Sequence, residues 1–517
     1  MEFQINGDVK FINDPHIEKE LNSIIIKKYY SDKKPERFAE LDNKDDVVFD
    51  KISLEESVFL NRKKTYIFDF GTHIVGRIKM NIVSKGSPPD APVKLKMQFG
   101  ELLSEVIKNP EEYQGELSSS WIQEELLTVD TIPKEIQLDR RYTFRYIKIS
   151  VVDTSPKFNI SLDLTAVEET SADTSKLSYI ESEDSLLVEI DKISQKTLVQ
   201  CMQDVFEDGP KRDRRLWLGD LRLQARANYY TVKNFDLVKK CLLLFATKVA
   251  ENGQVSANIF DKPKLIPDDT FLADYSLFFI DVLLEYGLET SDTSLLNLLY
   301  PIAKNQYNIL SKEISPTGEV VPKAGWWAFV DWQEKLDKRL SIQGIFIYSF
   351  KKMIELANFV HDFEIITEIK KNIDLMEFWV LENAFNKEKK LFMCCDEEQA
   401  SIASQVWLLL SKIGTPAFRR EVIESTLKNR NTLVECNTPY MYHHLVEALF
   451  ENGLFNEAIQ EIKSYWGEMV KLGADTFWEA FNPNNQEFSP YGDTLVNSYC
   501  HAWSCTPCYL MRKYNVD

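Results

Sequence analysis

The chain has 517 residues, 44% of them hydrophobic and 27% charged, a balance ordinary for a folded globular protein and incompatible with wholesale disorder. At roughly 100–200 residues per domain, about two to four domains are expected. Eighty acidic residues against 61 basic ones leave a formal charge of −19, which repels phosphate backbones and anionic headgroups and argues against nucleic-acid or membrane-surface partners.

The opening MEFQINGDVKFINDPHIEKE lacks an apolar core between basic and small-residue regions, so it does not read as a signal peptide. No apolar run approaches the ~18–20 residues of a membrane span. A cytoplasmic protein is the expectation. From Lys64 to Leu164 short alternating runs dominate: YIFDF (66–70), GRIKMNIV (76–83), PVKLKMQFG (92–100), FRYIKISVV (144–152) and FNISLDLTAV (158–167). β-Branched and aromatic residues with Gly/Pro punctuation predict a β-sandwich of jelly-roll type over 1–172. The polar stretch SADTSKLSYIESEDS (171–185) reads as a connection, with 173–184 as the linker.

Helical periodicity takes over from residue 185. It runs through 185–206, 221–253, 274–287, 295–314, 340–360, 363–385 and 440–466, with Gly or Asn-Gly stops at several ends. Helices in antiparallel succession predict a toroid of helical hairpins over 185–517 rather than a four-helix bundle. Eight cysteines are too few for a disulfide scaffold in a chain this long, and reduced thiols are expected. Cys500-x4-Cys505-x2-Cys508, with His501 inside it, has no second ligand pair nearby; buried small side chains are the favoured reading over a metal site.

Three connections hold tryptophan beside carboxylates: DGPKRDRRLWLGD (208–220), AGWWAFVDWQ (324–333) and GADTFWEAFNP (473–483). A helical scaffold alone does not require this. A sugar site does, because aromatic faces stack on pyranose C–H groups while carboxylates bind hydroxyls and move protons. In the first run, Asp208, Asp213 and Asp220 alternate with Arg212, Arg214 and Arg215, and a salt-bridged surface turn competes with the catalytic reading. In the second candidate, Trp478-Glu479, a solvated acid beside a buried indole is the competitor. Hydrolysis of a glycosidic bond needs two flanking carboxyls, one protonated and one ionised.

These motifs resemble glycoside hydrolase family 78, the bacterial α-L-rhamnosidases, in a short form. DGPKRDRRLWLGD resembles the family's signature before a barrel helix, GADTFWEAF its catalytic-base segment, and Asn497-Ser-Tyr-Cys-His501-Ala-Trp503 the stretch that supplies a histidine. FDFGTHIVGRIKM (68–80), FGELL (99–103) and FRYIKI (144–149) resemble its sandwich, so the likeness covers nearly the whole chain. The resemblance implies a β-sandwich followed by an (α/α)6 barrel, and an inverting hydrolase of terminal α-L-rhamnose or a similar sugar. Asp213 would be the general acid and Glu479 the base, with carboxyls about 6.5–9.5 Å apart. Asp208, Arg212, Trp217, Asp220, Trp326, Trp327, Asp331, Trp332, Trp478 and His501 would bind substrate. No cofactor or metal is implied; the partner is a small glycoside, and a homodimer is left open.

The chain departs from the family in carrying Asp where many relatives have Glu. Anchoring on Trp217-x-Gly-Asp220 puts Asp213 at the acid position, whereas anchoring on Asp208 would put Arg214 there. The second register would leave an inactive sugar-binding relative. A phosphorylase, using the arginines for phosphate, and a lyase are the other classes that such a toroid hosts.

Overall fold

The computed structural model describes residues 5–41, 47–52, 57–321, 327–394, 399–485 and 487–516. Residues 29–170 form one connected antiparallel sheet folded around a single apolar core. Its spine is the strand Thr65–Gly86, read in the sequence as two separate runs. The first half of this strand pairs with Tyr142–Asp153 and with Arg37–Glu40, and the second half with Phe158–Thr170 and with Lys134–Gln137. Period-2 alternation sends Tyr66, Phe68, Phe70, Ile74, Ile78, Met80 and Ile82 into the core along the whole strand. A single long strand can therefore serve both layers without reversing its faces.

From Ser185 onward the chain is helical. Leu218–Tyr230, Ala273–Thr290, Arg339–Phe359, Ile402–Leu410, Pro439–Glu451 and Pro507–Lys513 pack each against the next and close into an inner ring. Ser185–Cys201, Phe235–Thr247, Thr293–Leu310, Glu364–Trp379, Pro416–Lys428 and Phe455–Lys471 alternate with them in sequence and lie outside. This is the expected toroid of hairpins. The stretches read as single helices at 221–253 and 440–466 are each two. Lys233 adopts a left-handed conformation, and the Asn234 side chain accepts from Leu237 N at 3.1 Å to start the next helix. Gly453 makes the other break in the left-handed region.

The extreme N-terminal segment differs from the expectation that residues 1–172 form one sandwich. Phe11–Asn13 pairs with Lys248–Ala250, and the helix Pro15–Leu21 packs on Phe235–Thr247, so this segment is attached to the helical ring. Among the described residues, no helix is long and apolar enough to cross a membrane.

The inner ring is tight enough to exclude a methyl group. A Cβ at Gly344 would lie 2.7 Å from Trp407 C and 2.8 Å from Leu408 N, both backbone atoms of the neighbouring inner helix. Gly→Ala in a helix ordinarily gains roughly 0.5–1 kcal/mol. Here Gly344→Ala is expected to destabilise by roughly 1–3 kcal/mol through overpacking, read as a lowered urea midpoint with an unchanged m-value.

Candidate active site

The loop 208–217 is built around one carboxylate. Asp208 accepts from Arg215 N at 3.0 Å and from Asp213 N at 3.2 Å, while its own N–H donates to Arg215 O at 3.0 Å. Ala502 N donates to Asp208 O at 2.7 Å, tying the loop to the C-terminal segment. Gly209 is required by space: a Cβ there would meet Arg212 O and Ser498 Oγ at 2.5 Å. Lys211 is buried and donates to Leu495 O (3.1 Å), Asn497 O (2.7 Å) and the carboxylate of Glu105, which belongs to the β domain.

Arg212 follows and reaches into the opposite side of the loop. Its Nε donates to Val496 O at 3.0 Å, Nη1 to Asp213 Oδ1 at 3.2 Å, and Nη2 to Glu479 Oε2. Its guanidinium carbon lies 4.3 Å from the centroid of the Tyr491 ring. One guanidinium thus joins the two carboxyls singled out in the sequence. Their bonded oxygens are at most about 8 Å apart, the span of the guanidinium plus two hydrogen bonds.

Glu479 sits in an irregular stretch that runs beside residues 497–503. Glu479 N donates to Ser498 O at 2.9 Å, His501 N to Phe477 O at 2.9 Å, and Trp503 Nε1 to Glu479 O at 2.8 Å. The Glu479 carboxylate accepts from Arg212 and from Tyr491 OH. Burial pushes this carboxyl up, but Arg212 and His501, with those hydrogen bonds, more than offset it and hold it below the usual glutamate range. Asp208 moves the other way, raised by burial and by its neighbours Asp213 and Asp220.

A cavity of about 550 Å³ opens over these groups, within the range of small-molecule sites. Asp208, Arg212, Asp213, Trp217, Asp220, Trp327, Trp332, Glu479 and His501 all line it, brought together from the three tryptophan-bearing loops and the C-terminal segment. Trp326 lies outside the described residues. Trp478 and Asp331 do not line the cavity. Trp478 is buried edge-on against Phe481 and Tyr499. Asp331 accepts from Asn437 N (2.8 Å) and Thr438 Oγ1 (2.6 Å), a clamp between two loops, and burial pushes its carboxyl up to about 6.

Several groups in the wall escaped the sequence reading. Tyr275, Phe329, Tyr491 and Trp503 continue the aromatic lining; Phe329 stacks on Trp503 with centroids 5.3 Å apart and meets Trp332 edge-on at 5.2 Å. Tyr491 lies in a polar loop with no periodicity to flag it. Glu116, Leu117, Ser118 and Trp121 come from the β domain. Asp268 and Asp269 face the cavity as well, and their adjacency was a usable signal.

His501 Nε2 pairs with Asp220 Oδ1 at 3.1 Å. His501 Nδ1, Arg215 Nε and Trp332 Nε1 are buried without a hydrogen-bond partner, on side chains that line the cavity. Arg214, by contrast, has φ +62° and sends its side chain away, toward Lys211 O and Gln123 Oε1 of the β domain. Cys500 lies against Cys201, with sulfurs 3.9 Å apart, while Cys505 and Cys508 are buried in the ring.

A closed ring of helical hairpins carrying two carboxyls, an aromatic wall and further polar side chains around one cavity defines a carbohydrate-cleaving enzyme of the six-hairpin glycosidase class. The comparisons make this specific. Residues 34–169 match the glycosyl hydrolase family 78 alpha-rhamnosidase N-terminal domain, and residues 175–514 the bacterial alpha-L-rhamnosidase 6 hairpin glycosidase domain. The chain belongs to glycoside hydrolase family 78. A rhamnosidase from Klebsiella oxytoca, solved with rhamnose bound, is 41% identical with a TM-score of 0.93, covering 98% of this chain and 100% of that one. The family 78 rhamnosidase of Bacillus sp. GL1 shares the fold at 21% identity and a TM-score of 0.75, over 89% of this chain and 48% of that one. An alpha-L-rhamnosidase of Formosa agariphila is 24% identical over 47% of this chain, which spans 26% of that longer protein.

The buried histidines set a pH dependence for the fold. Burial opposes protonation of His501 and His73, but Glu479 and Asp220 around the first, and Cys500, Glu101 and Asp475 around the second, raise both to about 9. A histidine raised above its unfolded value of about 6.5 contributes stability that is fully present below that pH and is lost as pH rises through about 9. The urea midpoint should therefore fall between pH 6.5 and 9, and Glu101→Gln should flatten that fall.

Proposed function

We propose that this chain removes terminal α-L-rhamnose from glycosides by a single displacement with inversion. Asp213 protonates the leaving oxygen, and Glu479 activates a water on the opposite face of the sugar. The observation that carries the reading is the Arg212 bridge. It holds two carboxyls in one cavity, their bonded oxygens no more than about 8 Å apart, and it keeps one of them ionised. Rhamnose as the sugar is supported by the family and by the 41% identical relative solved with that sugar. A 6-deoxy sugar also has a methyl group for an aromatic wall to cover, and Trp217, Phe329, Trp332 and Trp503 supply one.

In this reading the side chains of Asp220, His501, Arg215 and Trp332, all of which line the cavity, bind the sugar. Asp208 has both oxygens committed to backbone amides and acts by shaping the loop that presents Asp213. Residues 185–517 form the catalytic unit. The outward turn of Arg214 supports the Asp213 register over the inactive one, and it leaves Arg212, already bridging two carboxylates, poorly free for phosphate. A cytoplasmic location is part of the proposal; the described cysteines, all buried and free, support it.

The experiment is turnover of p-nitrophenyl α-L-rhamnoside with NMR of the first sugar released, expected as the β-anomer. Glu479→Ala should lose on the order of 10²–10⁴ in kcat on every substrate and recover with azide, giving the β-rhamnosyl azide. Asp213→Asn should lose as much on a rhamnosyl disaccharide and far less on the p-nitrophenyl substrate, whose leaving group hardly needs a proton. Release of the α-anomer, or an Asp213→Asn enzyme unimpaired on the disaccharide, would overturn the assignment.

Tyr491 offers a finer check. Its hydroxyl donates to the ionised form of Glu479 and so lowers that carboxyl. Tyr491→Phe should raise it, moving the acidic limb of the kcat/KM profile to higher pH while the alkaline limb stays in place.

A further inference from the structure

We infer that the β domain supplies the leaving-group subsite, with Trp121 as its platform. This inference rests on the hydrolase reading above and extends it to the group released. The stretch between the strands Val93–Gly100 and Gln123–Val129 leaves the sheet and lies across the mouth of the barrel. It is fastened there rather than draped. Glu116 N donates to Tyr491 O at 2.8 Å, Lys108 Nζ to Thr494 Oγ1 at 2.6 Å, and Gln114 N to Asp493 Oδ2 at 3.3 Å. Tyr113, Leu117 and Trp121 pack with Ile122 against Tyr491, Leu495 and Val496 of the helical domain.

Depth assigns the two ends of the cavity. Asp208, Asp220, Glu479 and His501 are buried at its floor, while Glu116 and Ser118 are exposed and Trp121 is half-buried at its rim. The proposed acid and base divide the same way: the Asp213 side chain is 21% exposed and that of Glu479 4%. The acid protonates the leaving oxygen, so the leaving group must lie on the more open side. There the wall includes the β-domain segment, and the strand that follows it touches the acid's own loop, Gln123 Oε1 accepting from Arg214 Nη2 at 3.4 Å. An indole face beside carboxylates and a serine suits a ring with an apolar face and hydroxyls at its edge. Both a second pyranose and a phenolic ring have that chemistry.

The test compares kcat/KM for three α-L-rhamnosides: the methyl glycoside, which has no ring in the leaving group, a rhamnosyl-glucose disaccharide and a rhamnosylated flavonol. Trp121→Ala should lower the ratio of disaccharide or flavonol to methyl glycoside about tenfold, the scale of one lost stacking contact, and Trp121→Phe should restore most of it. A fall confined to one of the two ring substrates identifies which source the subsite takes. Ser118→Trp, on an exposed residue, should lower the same ratios by crowding. Inhibition by free L-rhamnose, which binds the floor, reports that each variant is folded. If wild type is active and inhibited by rhamnose while neither variant moves the ratios, the subsite is wrong and the hydrolase reading stands. If wild type neither cleaves nor binds rhamnosides, the hydrolase reading falls and the subsite with it.

Discussion

A guanidinium buried between two carboxylates organises this molecule. Taking Arg212 out of water is expensive, and the cost is met only because every edge of the group is used: Val496 O on Nε, Asp213 on Nη1, Glu479 on Nη2, and the Tyr491 ring against its face. Removing one partner of such a pair typically costs ~3–5 kcal/mol, because the other is left charged and buried. The two carboxyls are therefore not placed independently. Each is fixed by the same planar fork, whose geometry cannot flex as a lysine would.

The fork is in turn held from the β domain. Lys211, one residue before it, donates to Glu105, and Glu105 accepts from Glu101 N (2.7 Å) and Leu102 N (2.9 Å). Glu101 accepts from Tyr499 N at 2.6 Å and pairs with His73 at 2.9 Å, and His73 N donates to Asp475 at 2.7 Å. Asp475 opens the segment that carries Glu479. Both carboxyl-bearing segments of the barrel are thus tied to the sheet by a linked set of side chains and backbone amides. That makes the β domain part of the active site's rigidity, and it explains why a helical toroid with its own closed ring still buries a second domain against its rim.

Much of this was legible in the sequence, for reasons that can be named. Alternation in 66–83 and helical periodicity after 185 report burial of one face, and burial is what the fold later imposes; the runs 66–70 and 76–83, read separately, keep one phase of alternation and belong to the single strand Thr65–Gly86. The tryptophan-carboxylate loops were visible because indoles are rarely spent on connections. Trp478 and Asp331 show the limit of that signal, since an indole buried edge-on and a carboxylate clamping two loops have the same local sequence character as ligands. Tyr491 and Trp121 were beyond reach. Their roles depend on which segments meet across several hundred residues, and neither sits in a periodic or charged motif.

The same arrangement separates the two carboxyls chemically. Glu479 is enclosed and flanked by a guanidinium, a phenol and a protonated imidazole, all of which favour its charged form. Asp213 shares only one arm of that guanidinium and reaches toward the mouth of the cavity. One half of the asymmetry that an acid/base pair needs is therefore built into the surroundings: Arg212, His501 and Tyr491 hold Glu479 ionised, while the Asp213 side chain stands on the more open side of the cavity, where a leaving group can reach it.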